Sequence, residues 1–139
     1  MNQTNFSNQR AITGAMLAWW TFQNPAQDLP PLGVDLHIEH ILAKKRQELH
    51  HVLENPDALE FLGNKSLLEK TINIRAADYR LVDKKFFYLG DEKKPATFNL
   101  ELRGLAEKYD DFTEEDILER NEKIFDAFVE YLREQGLLL

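Results

Sequence analysis

The chain has 139 residues with 17 basic and 24 acidic side chains, so its formal net charge is −7, and it contains no cysteine. The length and the apolar fraction of 43% are typical of one globular domain, or of one domain with a helical appendage. The lack of cysteine excludes disulfides, thiolate zinc sites and cysteine nucleophiles. No run of about 20 apolar residues and no secretory signal is recognisable, which predicts a cytoplasmic protein that does not cross a membrane.

The acidic excess lies in the C-terminal part of the sequence. Residues 34–98 carry eleven acidic and eleven basic side chains, whereas residues 99–139 carry twelve and five. Basic clusters at 44–46, 84–85 and 93–94 fall in the neutral part. Such clusters can contact phosphate groups but lack the strong field of a stand-alone DNA-binding protein. If the chain binds DNA, we expect another domain or subunit to supply much of the affinity.

The N-terminal region is predicted to be a helix followed by a linker. Residues 8–24 have a broad apolar helical face that includes Trp19 and Trp20, which we interpret as core or docking residues. The segment DLPPLG that follows is typical of a linker. We therefore divide the chain into an N-terminal helix and linker, residues 1–33, and a main domain, residues 34–139.

The main domain is predicted to be mostly helical with two short strands. Residues 34–39 alternate apolar and polar side chains, which is the pattern of a half-buried strand. The further predicted elements are a helix or structured loop at 44–53, a turn or helix start at 55–57, a second strand or a helical turn at 65–69, helix over 71–88 and a short helix at 98–109. The final helix is the clearest, because Thr113 and Asp116 form a near capping box and Gly136 is a natural stop.

Several polar residues in the main domain occur in a meaningful order: the pair Glu39-His40, the pair Gly63-Asn64, then Asn73, then the pair Lys84-Lys85. Asn64 and Asn73 are nine residues apart. This order is similar to that of HNH nucleases, in which a β-hairpin and the helix after it clasp one divalent cation. Hydrolysis of a phosphodiester needs a water deprotonated near neutral pH and a hard cation, which suits histidine with oxygen ligands. We therefore expect an α+β, mostly helical domain built around a ββα-metal (HNH) motif.

Longer runs extend this likeness, namely HIEHILAKK, FLGNKSLLEKTIN, YRLVDKKFFY and the tail FTEEDILERNEKIFDAFVEYL. They resemble the C-terminal HNH domain of GmrSD-type modification-dependent restriction endonucleases, over roughly residues 34–135. The resemblance implies a divalent-metal-dependent DNA endonuclease of a restriction or phage-defence system. Members of that family usually carry a large N-terminal domain that binds nucleotide and modified DNA. We therefore expect DNA and such a domain or subunit as partners.

The resemblance also implies a role for each residue of the motifs. His40 would be the general base, and Asn64 the central asparagine that braces the site. Glu39 and Asn73 would bind Mg²⁺ or Mn²⁺. Lys84 would contact phosphate, with Lys85 as the less favoured choice. A carboxylate and an amide oxygen, together with waters, suit either of these cations.

Two departures from the family pattern leave other functions open. Ala43 stands where the family usually has proline, and Lys65 where it usually has leucine after Gly-Asn. Either change could loosen the loop, so one alternative is a degenerate nuclease fold without turnover. Another is a non-catalytic protein-interaction module that uses the acidic C-terminal helix and the tryptophan face.

Strand alternation raises a further alternative. It places Asp35, His37 and Glu39 on one face of the first strand, where they could bind a metal as a cluster, and His40 on the opposite face. The HNH interpretation requires the strand to end or bulge at His40, so that the imidazole turns towards the site.

Overall fold

The computed structural model describes residues 9–138, which form an α+β structure with six α-helices and one two-stranded antiparallel sheet. The α-helices are α1 Arg10–Thr21, α2 Lys44–His50, α3 Lys70–Ala76, α4 Leu81–Leu89, α5 Leu100–Lys108 and α6 Glu114–Glu134. The strands are β1 Leu36–His40 and β2 Lys65–Glu69, and two short 3₁₀ helices, Pro56–Glu60 and Leu62–Asn64, precede β2. The predicted α+β, mostly helical class is confirmed. Within the described range, no helix is both long and apolar enough to cross a membrane.

The sheet positions the candidate site. β1 and β2 pair without interruption from Leu36 opposite Glu69 to His40 opposite Lys65. The predicted bounds of the second strand are confirmed, whereas the first strand begins two residues later than predicted and includes His40. α3 follows β2 directly and contacts both strands. The order along the chain is therefore β1, α2, the two 3₁₀ helices, β2 and α3.

Apolar side chains form two packed clusters around the sheet. The larger cluster is built from the segments flanking β1 and β2 together with α3, α4, α5 and the start of α6. The smaller one joins α1, β2 and α6 through Leu17, Leu67 and Ile124. The ring of Trp19 also packs on α6, with its centroid 5.3 Å from that of Phe128. This packing agrees with the interpretation of Trp19 as a core residue.

The helix predicted over 71–88 is in fact two helices, α3 and α4. The chain turns at Ala77, which has a positive φ of 46° and donates its backbone N–H to the carbonyl of Asn73. Ala76 and Leu81 are buried on either side of the break. The apolar pattern therefore continues across the turn, and periodicity alone could not locate it.

The last helix begins as predicted. The Thr113 hydroxyl accepts a hydrogen bond from the backbone N–H of Asp116, and the Asp116 carboxylate accepts one from the backbone N–H of Thr113. Gly136 adopts a positive φ of 71° just beyond the helix end. Both local signals in the sequence are thus realised in the structure.

Candidate functional site

The end of β1 places two predicted site residues on opposite faces of the sheet. His40 is the last residue of β1 and still pairs with Lys65 there without a bulge, so the turn of the imidazole towards Glu39 that the HNH interpretation required is not seen. His40 lies on the face that α1 covers in part, together with Ile38. Glu39 lies on the other face and is buried. Glu39 and His40 are neighbours in the sequence, but their side chains lie on opposite faces of the sheet.

His40 borders an open groove of about 640 Å³ between α1 and the sheet. Strand residues form its floor, and Arg10 of α1 and Lys44 of α2 contribute cationic side chains that are exposed to solvent. His37, Glu60, Lys65 and Asn73 also line it. A groove with histidines and exposed cations can accept an anionic substrate such as a phosphodiester.

A carboxylate binds the imidazole of His40. Both oxygens of Glu60, at the end of the 3₁₀ helix Pro56–Glu60, lie 3.0–3.1 Å from His40 Nε2. The Lys65 ammonium lies 2.9 Å from Glu60 Oε2. The hydrogen bond to His40, with help from Lys65 and against the effect of partial burial, lowers the pKa of Glu60 from 4.5 to about 2. Glu60 is therefore ionised throughout the neutral range.

Asn64 fastens together the two segments that carry this pair. Its buried side chain accepts a hydrogen bond from Leu42 N at 2.7 Å, and its amide group donates to Leu42 O and Leu59 O at 3.1 and 3.0 Å. Leu42 follows His40 by two residues, and Leu59 directly precedes Glu60. The side chain of Asn64 thus fixes the separation of the two backbones, which fits its predicted bracing role.

The residue before Asn64 must be glycine because α6 approaches it closely. A Cβ on Gly63 would collide with the backbone oxygen of Ile117 and lie 2.7 Å from the backbone nitrogen of Asn121. Arg120 of the same helix donates from Nη1 to the carbonyls of Leu62, Gly63 and Lys65 at 2.7–3.0 Å. α6 therefore holds the turn that precedes β2.

Glu39 belongs to a buried polar network. Its Oε2 accepts a hydrogen bond from the Tyr88 hydroxyl at 2.6 Å and lies 3.3 Å from the Lys84 ammonium. Lys84 also donates to the backbone oxygen of His40 at 2.7 Å. Burial lowers the pKa of Lys84, against the attraction of Glu39, and burial together with Glu39 raises the pKa of Tyr88. The network ties α4 to the end of β1.

This network does not fit two of the predicted roles. The side chains of Glu39 and Lys84 are only 5% and 1% exposed, and each is already bound to the other. A cation at Glu39 or a phosphate at Lys84 would first have to displace these contacts. Lys85 is more accessible, and its ammonium pairs with the exposed Asp110 at 2.9 Å.

Asn73 lies apart from Glu39. Its amide nitrogen is 3.4 Å from His37 Nδ1, at the edge of the groove. No group of three or more His, Asp or Glu side chains within residues 9–138 is placed to hold a metal ion. The alternative cluster of Asp35, His37 and Glu39 is therefore not formed. Mg²⁺ binds several oxygen ligands, and the described residues do not fit such a site in this arrangement.

The motifs did not predict Glu60 or Tyr88. Tyr88 could have been found, because it lies one helical turn after Lys84 and so shares its face of α4. Glu60 has no comparable signal. It precedes the apolar run FLGN, and its approach to His40 depends on how that run folds.

Comparisons with protein-family models, curated protein sequences and solved structures gave no match. The resemblance to the restriction-system HNH domain therefore rests on the sequence motifs alone.

Proposed function

We propose that this chain is an HNH-type nuclease domain that hydrolyses phosphodiester bonds in DNA, as part of a restriction or phage-defence system. One observation carries the proposal: His40 borders an open groove with exposed cations, and its ring is held there by Glu60. An oriented imidazole beside an anion-binding groove has the chemistry of a general base for hydrolysis. Asn64 supports the arrangement from the interior by fixing the backbone on both sides.

The charges of the groove favour a substrate that carries phosphate groups. Arg10 and Lys44 are exposed and can hold phosphate groups on either side of the scissile bond. With a net charge of −7, the chain as a whole repels DNA. We therefore retain the expectation of a DNA-binding partner domain or subunit that supplies affinity and recognises the modified base.

Mg²⁺ or Mn²⁺ is the proposed cofactor because the resemblance implies it. When bound, such a cation would neutralise charge that develops on the phosphate. Asn73 is accessible at the groove and offers an amide oxygen, whereas Glu39 is enclosed by Lys84 and Tyr88. The described residues do not form a site for the cation, so His40, Glu60 and Asn64 carry their proposed roles without it.

The activity is tested with supercoiled plasmid in the presence of Mg²⁺, Mn²⁺ or EDTA. With the chain in large excess over plasmid, which offsets the affinity that a partner would supply, we expect cleavage by the wild-type chain and a loss of about 10²-fold or more in His40→Ala, because a general base contributes at least that factor. His50→Ala is the matched control, since His50 is an exposed histidine on α2. If no condition gives cleavage, or if His40→Ala cleaves like His50→Ala, the proposal is wrong.

The cofactor is tested separately by calorimetric titration with Mg²⁺ and Mn²⁺. Binding that weakens in both Glu39→Gln and Asn73→Ala would show that Glu39 leaves its buried network to bind the cation. Binding that weakens only in Asn73→Ala would show a cation site at the groove that does not involve Glu39. If neither cation binds, and the chain instead forms a tight complex with a protein partner, the interaction-module alternative is favoured.

A further inference from the structure

The contact between Glu60 and His40 determines which ring nitrogen can act. We infer that Glu60 is a positioning residue that holds His40 with its proton on Nε2, so that Nδ1 is the nitrogen that accepts the proton of the attacking water. This inference rests on the proposed function and deepens it. The observation is the placement of both Glu60 oxygens within 3.0–3.1 Å of Nε2.

Hydrogen-bond chemistry requires a hydrogen on Nε2. An ionised carboxylate can only accept hydrogen bonds, so the ring nitrogen facing it must be the one that carries hydrogen. In a neutral imidazole the other nitrogen then has the free lone pair. Serine proteases use the two ring nitrogens in the same way: a buried aspartate accepts a hydrogen bond from one nitrogen and so leaves the other free to accept a proton.

The carboxylate is itself held in place from two sides. Lys65 lies opposite His40 in the sheet register, is nearly buried, and bonds Glu60 Oε2 at 2.9 Å. Asn64 bonds the carbonyl of Leu59, the residue before Glu60. Lys65 occupies the position where the family pattern has leucine, so in this chain the departure supplies the cation that anchors Glu60.

In the proton-transfer step, an O–H bond of water breaks and an Nδ1–H bond forms. The hydroxide oxygen forms a bond to phosphorus as the bond from phosphorus to the leaving oxygen breaks, and solvent protonates the leaving oxygen. The His40 imidazolium that results keeps its Nε2–H bond to Glu60, whose negative charge stabilises it. The ring then returns its extra proton to solvent.

The tautomer can be measured without any activity by long-range ¹H–¹⁵N correlation spectra of the full chain, recorded with rising pH until the His40 signals stop moving. The signals of His40 are assigned by their loss in His40→Gln. We expect the Nε2–H form in the wild-type chain, and a shift towards the Nδ1–H form in Glu60→Gln. Asp57→Asn is the matched control, because it makes the same change of charge on the same 3₁₀ helix at an exposed position.

Cleavage kinetics give the second readout. We expect Glu60→Gln to lower kcat by about 10²-fold, with little change in KM, since the ring stays in the groove but loses its orientation. Glu60→Asp keeps a carboxylate and should recover part of both the tautomer and kcat. Asp57→Asn should match the wild-type chain in all three measurements.

The outcomes separate this inference from the proposed function. Cleavage by the wild-type chain together with unchanged tautomer and kcat in Glu60→Gln would overturn the role of Glu60 and leave the nuclease proposal intact. Absence of cleavage with a Glu60-dependent Nε2–H tautomer would overturn the nuclease proposal and support the positioning of the ring. An Nδ1–H tautomer in the wild-type chain would refute the inference even if Glu60→Gln failed to fold.

Discussion

A Lys84→Met substitution would leave the carboxylate of Glu39 enclosed between β1 and α4 without its cation. Methionine has a similar shape, so the change removes the ammonium and its hydrogen bonds to Glu39 and to the backbone oxygen of His40 with little loss of packing. Removing one partner of a buried ion pair costs about 3–5 kcal/mol, because the remaining charge stays desolvated. The Tyr88 hydroxyl still binds Glu39, so we expect a loss near the lower end of that range.

The free energy of unfolding is measured by urea titration, with tryptophan fluorescence as the signal. The double variant Glu39→Gln/Lys84→Met removes both charges, and we expect it to recover at least about 2 kcal/mol relative to the sum of the single variants. Lys85→Met is the matched control. Its lysine pairs with the highly exposed Asp110, so it should cost at most about 1 kcal/mol. A cost below about 1 kcal/mol for Lys84→Met, or strict additivity of the two single changes, would refute the buried-pair reasoning.

Three further predictions concern the turn and the groove. Asn64→Ala should lower the free energy of unfolding in urea by about 2–4 kcal/mol, since it leaves the backbone of Leu42 unpaired in the interior; a loss below 1 kcal/mol would contradict this. Gly63→Ala should lower the thermal midpoint by an amount equivalent to at least about 2 kcal/mol, because its Cβ collides with the backbone of α6. The control is Gly104→Ala on α5, where the added Cβ meets open space, so this change should be neutral or stabilising. The pKa of Glu60 falls from 4.5 to about 2 on folding, so its contribution is complete above pH 4.5 and is lost as the pH falls towards 2. Allowing for solvent screening, the free energy of unfolding should fall by about 1–2 kcal/mol between pH 4.5 and about 2. Urea titrations across this pH range should show the fall, and it should be smaller in Glu60→Gln. An equal dependence of stability on pH in both proteins would count against the pairing of Glu60 with His40.

Local signals in the sequence were sufficient for the elements that depend on neighbouring residues. The start of α6 could be placed because Thr113 and Asp116 cap it, and the bounds of β2 because an apolar run follows the turn residues Gly63-Asn64, although that run alone did not separate a strand from a helical turn. The break at Ala77 could not be predicted. The buried positions on both sides of it keep the helical spacing, and only the packing of α3 and α4 against the rest of the chain separates them.

The candidate site was predictable only in part, for a related reason. The sequence places Glu39 beside His40, but a strand sends neighbouring side chains to opposite faces, and tertiary packing decides what each face meets. Glu39 meets Lys84 and Tyr88, which lie more than forty positions further along the chain. Glu60 contacts His40 because the 3₁₀ helix that ends at Glu60 packs against the end of β1, and no local sequence pattern predicts this packing.

The clamp made by Asn64 has a consequence for changes in chain length. Its bonds to Leu42 and Leu59 close the base of the loop that contains α2, so the backbone beside His40 and Glu60 is held at that base. Lengthening a closed loop costs only about 0.6 kcal/mol for each doubling. The exposed residues 51–52, just after α2, are therefore the natural position for inserting a peptide tag or a reporter without disturbing the groove.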